Sequence, residues 1–153
     1  MSELRELYQE VILDHGRSPR NFARPTDANR DCDGFNPLCG DKVHVYLTVK
    51  DGLVEDVGFE GAGCAISMAS ASMMTEILKG KMEAEVKTLF DRFHDLVMGD
   101  AEITDADLDD PDLERLVVLV GVREFPMRVK CATLAWHTMT AALDGNEEEV
   151  RSE

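Results

Sequence analysis

A chain of 153 residues, 44% of them hydrophobic, is long enough to build one domain with a sizeable core and needs no second domain, so residues 1–153 are read as a single unit. Its formal charge of −15, from 31 Asp and Glu against 16 Lys and Arg, argues against nucleic acid and anionic membrane surfaces and leaves proteins and small molecules as partners. The longest purely apolar run, residues 116–120, is far short of the roughly 18 residues that suggest a membrane span, and no basic-then-apolar leader opens the chain, so a cytoplasmic location is expected.

Leu4, Leu7, Tyr8, Val11 and Ile12 recur at helical spacing behind Ser2, a candidate N-cap, and Gly16 marks a stop. Two prolines then break the chain, and residues 26–35 read as an edge strand carrying Cys32. From Lys42 the period changes to two: Val43, Val45, Leu47 and Val49 alternate with Lys42, His44, Tyr46, Thr48 and Lys50. Asp51-Gly52 is a strong hairpin signal, and Leu53, Val57 and Phe59 return on one face of a second strand.

After the Gly-Ala-Gly-Cys of residues 61–64 the pattern is helical. Residues 64–80 are rich in small side chains and methionine and stop at Gly80, and the methionines read as helix packing rather than ligands. Val86, Leu89, Phe90, Phe93 and Val97 form one stripe ended by Gly99. Residues 99–114 carry eight acids and no base, which reads as a solvated loop with a capped helix after it, over residues 113–120. A last helix turns Val129, Ala132, Trp136 and Leu143 inward. The expected class is α+β: a small antiparallel sheet of about three strands with helices packed on one face.

Four cysteines in a reducing compartment, within a chain able to build a core, point to metal or catalysis before disulfides. Cys39 sits in the loop before the first clear strand, Cys64 at the start of the next helix, and Cys131 near the start of the last. Helix N-termini favour thiolate over thiol, so Cys64 and Cys131 are expected to be electrostatically prepared. Gly40, Gly61 and Gly63 allow close backbone approach around them. Three thiolates plus one oxygen suit four-coordinate zinc, soft sulfur also suits iron–sulfur chemistry, and Asp41 is the nearest fourth ligand. The bland alternative is that each is a small buried hydrophobe, the reading preferred for Cys32. His15, His44, His94 and His137 lack metal-type pairing, with His44 a candidate to support a ligand near Cys39.

Asn-Pro-Leu-Cys-Gly-Asp at residues 36–41, the stretch 59–74 around Cys64 and the stretch 125–136 around Cys131 resemble, in order and spacing, the three cysteine motifs of the IscU/NifU-like iron–sulfur cluster assembly family, and specifically its SufU branch. The resemblance covers nearly the whole chain. Two features favour that branch: Lys130, not histidine, precedes Cys131, and residues 99–122 look like the branch's insertion. The resemblance implies an IscU-like fold and a zinc-dependent sulfurtransferase that takes persulfide sulfur from a pyridoxal-phosphate cysteine desulfurase of the SufS type and passes it to downstream assembly components. It implies Cys39, Asp41, Cys64 and Cys131 as zinc ligands, Cys39 as the sulfur acceptor, and Arg128 as an aid to holding Asp41 or the closed site. The alternative is a scaffold that builds a transient iron–sulfur cluster on the same cysteines. A cysteine hydrolase would need a positioned histidine and an oxyanion hole, and the sequence supplies neither.

Overall fold

Asp51 and Gly52 both take positive φ, 54° and 78°, the backbone of a tight hairpin turn that joins β2 (Asp41–Lys50) to β3 (Leu53–Ala62). Antiparallel pairing sets Val45 opposite Phe59 and Leu47 opposite Val57, so the period-two residues of both strands share one buried face. The computed structural model describes residues 2–146 and 148–151, with side chains from residue 9 onward.

The sheet has four strands rather than three, in the order β3-β2-β1-β4. β1 (Arg30–Asn36) is therefore not an edge: β2 pairs with it antiparallel on one side, and β4 (Val150–Arg151) runs parallel to it on the other. A two-residue strand has no hydrophobic period to betray it. Its approach covers Cys32, which is 2% exposed, with Sγ 3.1 Å from the Glu148 carbonyl oxygen.

Helices cover the apolar face only. α1 spans Ser2–Arg17, α2 Ala65–Leu78, α3 Glu83–Met98, α4 Asp105–Asp109, α5 Pro111–Val120 and α6 Pro126–Leu143, with a 3-10 turn at Gly121–Glu124. α6 lies on β1 and β2 and α2 on β3, while α1 packs on α2 and α3 on α5 and α6. The small side chains of α2 are what let α6 approach: Ser70, fully buried, donates to the Ala132 carbonyl at 2.5 Å and accepts from the Trp136 indole at 3.1 Å. Met68, Met73 and Met74 fill the core as packing, as expected. On α1, Val11 and Ile12 pack against the core, whereas the expected contributions of Ser2, Leu4, Leu7 and Tyr8 lie outside the described side chains. No helix among the described residues is long and apolar enough to cross a membrane.

The acidic stretch is more ordered than its composition suggests. Thr104 caps α4 and Asp110 caps α5, with Pro111 in the first turn, so most of the carboxylates sit where helix N-termini favour them. Asp107 departs from the solvated reading: it is 5% exposed, and Arg92 of α3 meets both its oxygens, at 2.8 and 2.5 Å, while the Thr104 N–H donates at 2.8 Å. The Arg92 guanidinium holds this carboxyl well below the usual range, against the opposing effect of desolvation.

Replacing Asp107 by Asn should cost about 1–2 kcal/mol of unfolding free energy at pH 7, the scale of a lost helix cap with its ion pair. A depressed folded pKa stabilises above the unfolded value and is lost on acidification, so the wild-type advantage should shrink below about pH 4. Denaturant titrations of both proteins at pH 7 and pH 3.5 check this; equal stability at pH 7 would contradict it.

Candidate metal centre

The register of β2 on β3 builds the site. Lys42 pairs with Ala62 and Val43 with Gly61, so the first residue of β2, Asp41, lies beside the last turn of chain before α2. Gly63 makes the approach possible, because a Cβ there would lie 2.5 Å from Asp41 Oδ1 and 3.0 Å from its Cγ. The next residue, Cys64, is the N-cap of α2 and donates its own N–H to Asp41 Oδ1 at 2.9 Å, while the Ser67 N–H reaches its Sγ at 3.5 Å. On the other side, Asn36 pairs with Asp41 and closes the loop 37–40, in which Gly40 takes φ 74°. That loop presents Cys39. α6, crossing β1 and β2, brings Cys131 underneath.

Four of the sequence-derived candidates are thus brought together. One donor atom each from Cys39, Asp41 and Cys131 lie within 4.8 Å of one another. Cys39 and Cys131 are 3.5 Å apart, sulfur to sulfur. Cys64 stands at the margin of this trio, its Sγ 4.0 Å from Asp41 Oδ2. Exposure is graded: Asp41 and Cys131 are fully buried, Cys64 is half-buried and Cys39 faces solvent.

The electrostatics differ from expectation at one cysteine. Cys64 is lowered to about 6, first because the Cys131 thiol donates toward it and then because the Ser67 N–H does, against burial and the Asp41 charge. Cys131 is pushed up, by donating to Cys64 and then by burial and the neighbouring Asp41 and Cys39. α6 begins at Pro126, so Cys131 sits in its second turn with Sγ 3.5 Å from the Met127 carbonyl, past the free N–H groups that would stabilise a thiolate. Only Cys64 has the expected helix-start advantage.

The donor set fits a cation. Asp41 is a carboxylate removed from water with no Lys, Arg or His paired to it among the described residues, and a buried charge left in that state is costly. Cys39, Asp41 and Cys131, with Cys64 at their margin, are donors of the kinds that hold zinc or iron–sulfur species, and Gly63 keeps open the space the carboxylate needs.

Other candidates fall elsewhere. His44 turns to the opposite face of β2, where it bridges Asp33 and, at 2.6 Å, Asp31, so it does not support a ligand at this centre. Burial lowers its pKa, but hydrogen bonds and charge from the two aspartates outweigh that and raise it. His15 is buried on Ser72, 2.8 Å away, and His94 and His137 pack edge-to-face against Phe90 and each other. Arg128 is exposed in the first turn of α6, with no side-chain hydrogen bond or ion pair among the described residues, and is not brought onto Asp41. One contributor escaped the sequence reading. Asn36, fully buried, accepts the Leu38 N–H on Oδ1 at 3.1 Å and the Gly40 N–H on its carbonyl at 2.8 Å, and points Nδ2 at Cys131 Sγ, 3.9 Å away. Its place before Pro37, a turn-starting pair, was the available signal.

A family model described as NifU-like N terminal domain matches residues 7–148. The chain is 41% identical over 138 residues, 90% of each sequence, to a Bacillus subtilis protein named zinc-dependent sulfurtransferase SufU. It is 36% identical over 143 residues, 94% of this chain and 86% of the other, to a Streptococcus pyogenes protein named iron–sulfur cluster assembly scaffold protein IscU. A crystal structure titled as a putative iron–sulfur cluster assembly scaffold protein for the SUF system from Fervidobacterium islandicum superposes with a TM-score of 0.78 at 32% identity, covering 88% of this chain and 94% of that one.

Gly63→Ala removes no donor, yet its methyl must displace the Asp41 carboxylate. Zinc affinity, measured by competition with a chromophoric chelator, should fall by roughly 10–100-fold, the usual cost of misplacing a ligand through its support. Wild-type affinity in this variant would show that Asp41 is not held for a metal.

Proposed function

This chain belongs to the NifU-like N-terminal domain family, and from that premise we propose that it serves iron–sulfur cluster assembly as a zinc-dependent sulfur acceptor, with Cys39, Asp41, Cys64 and Cys131 as the zinc ligands. The observation that carries the reading is the graded exposure of one donor cluster: Cys39 is the thiol a partner can reach, while the other three donors sit behind it. Zinc bound here supplies a redox-inert Lewis acid that keeps thiolates deprotonated at neutral pH. Cys64 already favours the thiolate. Asp41 contributes the oxygen donor, and Asn36 keeps the Cys39 loop closed over Cys131.

The sulfur donor is a cysteine persulfide, R–S–SH, on a pyridoxal-phosphate cysteine desulfurase. The Cys39 thiolate attacks the terminal sulfur, a new S–S bond forms as the old one breaks, and the donor leaves as R–S⁻ with no net oxidation. The product, Cys39–S–SH, then carries sulfur to the next assembly component. Burial of Cys131 and half-burial of Cys64 keep them out of that exchange.

Cys39→Ser separates holding zinc from moving sulfur. Asp41, Cys64 and Cys131 remain, so substantial zinc should be retained, but a serine hydroxyl forms no persulfide. With a cysteine desulfurase and cysteine, wild type should gain one sulfur on the Cys39 peptide by mass spectrometry and the variant none. Persulfide on Cys64 or Cys131 instead would overturn the acceptor assignment. A brown, iron-containing protein from anaerobic purification would favour the scaffold role for which the Streptococcus relative is named.

A further inference from the structure

Buried hydroxyls on the helices of this protein find carbonyl oxygens. Ser70 donates to Ala132, Thr75 to Ser72, Thr133 to Val129 and Thr138 to Leu134, at 2.5–2.9 Å. Ser67 does not. It is fully buried on α2, yet its Oγ has no hydrogen-bond partner among the described residues, a state it shares there only with Thr48 Oγ1. A buried hydroxyl left without an acceptor is destabilising and calls for an explanation.

The place of Ser67 supplies one. It is the third residue of α2, and its backbone N–H already reaches the sulfur of the N-cap, Cys64, at 3.5 Å. Side chains of a helix lean toward its N-terminus and residues three apart share a face, so the Ser67 hydroxyl lies on the stripe that Cys64 begins and Ser70 continues. That stripe faces α6, where Ser70 meets Ala132 and Trp136. Rotation about χ1 is the one movement a serine needs to offer its proton to a sulfur beside its own N–H. A neutral thiol is a weak acceptor, whereas metal binding makes Cys64 a thiolate, a strong one.

We propose that Ser67 is a positioning residue of the metal centre: in the metal-loaded protein its hydroxyl donates to the Cys64 thiolate and makes Cys64 the fixed sulfur ligand. The proposal rests on the metal-centre reading above and adds what decides which thiolate leaves. Three thiolates and a carboxylate around a divalent ion carry an excess of negative charge, which donors in a buried site must offset. Cys64, with both the N–H and the O–H of Ser67 on its sulfur, is then the least nucleophilic of the three cysteines. Cys39 receives only the Cys131 thiol, 3.5 Å away, and no N–H or O–H among the described residues. Exchange therefore falls to Cys39 while Cys64 stays on the metal.

The test compares wild type, Ser67→Ala and Thr48→Val, the last removing the other unpartnered hydroxyl seven residues along β2 from Asp41, about 23 Å away by strand rise. Denaturant midpoints are measured on metal-free protein, zinc affinity by competition with a chromophoric chelator, and iodoacetamide labelling of each cysteine in the zinc-loaded protein by mass spectrometry. Ser67→Ala should leave the metal-free midpoint unchanged or raise it, weaken zinc binding about tenfold, and speed labelling of Cys64 about tenfold. Thr48→Val should match wild type in affinity and labelling. Wild-type zinc affinity in Ser67→Ala overturns the proposal, and so does a variant that is less stable or unfolded without metal, because the hydroxyl then has a structural partner. Weaker zinc binding with no faster labelling of Cys64 removes Cys64 as its acceptor and also overturns it. A wild type that binds no zinc sinks the metal-centre reading itself, whereas equal binding by wild type and Ser67→Ala sinks only the role of the hydroxyl.

Discussion

A buried carboxylate with no basic side chain paired to it among the described residues is the constraint around which the site is organised. Asp41 is fully buried, accepts one backbone N–H from Cys64, and lies near the sulfurs of Cys39, Cys64 and Cys131. Low dielectric makes an ionised carboxylate costly without a positive partner, and the chain supplies none among its described residues. The charge is balanced if a cation comes from outside, and the sulfur-rich surroundings select a soft or borderline one. Everything that puts Asp41 there follows from strand register: a one-residue slip of β2 on β3 would turn its side chain to the opposite face, together with Val43 and Val45.

From that constraint the roles of the three thiols follow by position. Cys64, at the start of α2, receives backbone N–H groups and is the natural thiolate. Cys131, deep on α6 and facing carbonyl oxygen and the other donors, is the thiol that needs help to ionise. Cys39, on a four-residue loop pinned at both ends by Asn36, is the one a large partner can meet. A centre with buried donors and one exposed thiol can combine stability with exchange.

Much of the fold was legible because it is periodic. The alternation from Val43 to Val49, the Asp-Gly turn and the stripe from Val86 to Val97 each repeat a pattern long enough to be read locally. α4 and β4, five and two residues long, are below that length. Asp107 looked like one more solvated acid because its partner, Arg92, is on another helix. The donors were legible as types, and their ordered motifs resembled a family, but their convergence depends on register and on how α6 crosses the sheet. Two readings went astray although the sequence held the answer: strand parity already puts His44 opposite the Val43 face, and Pro126 at the first helical position already places Cys131 in the second turn.

X-ray absorption at the zinc edge of the protein as purified tests the central claim most directly, because it reads donor types without any variant. The account predicts one tightly bound zinc with three sulfur neighbours at about 2.3 Å and one oxygen at about 2.0 Å. A shell of nitrogen and oxygen alone, or a zinc-free protein whose four cysteines all react freely with a thiol reagent, would contradict it.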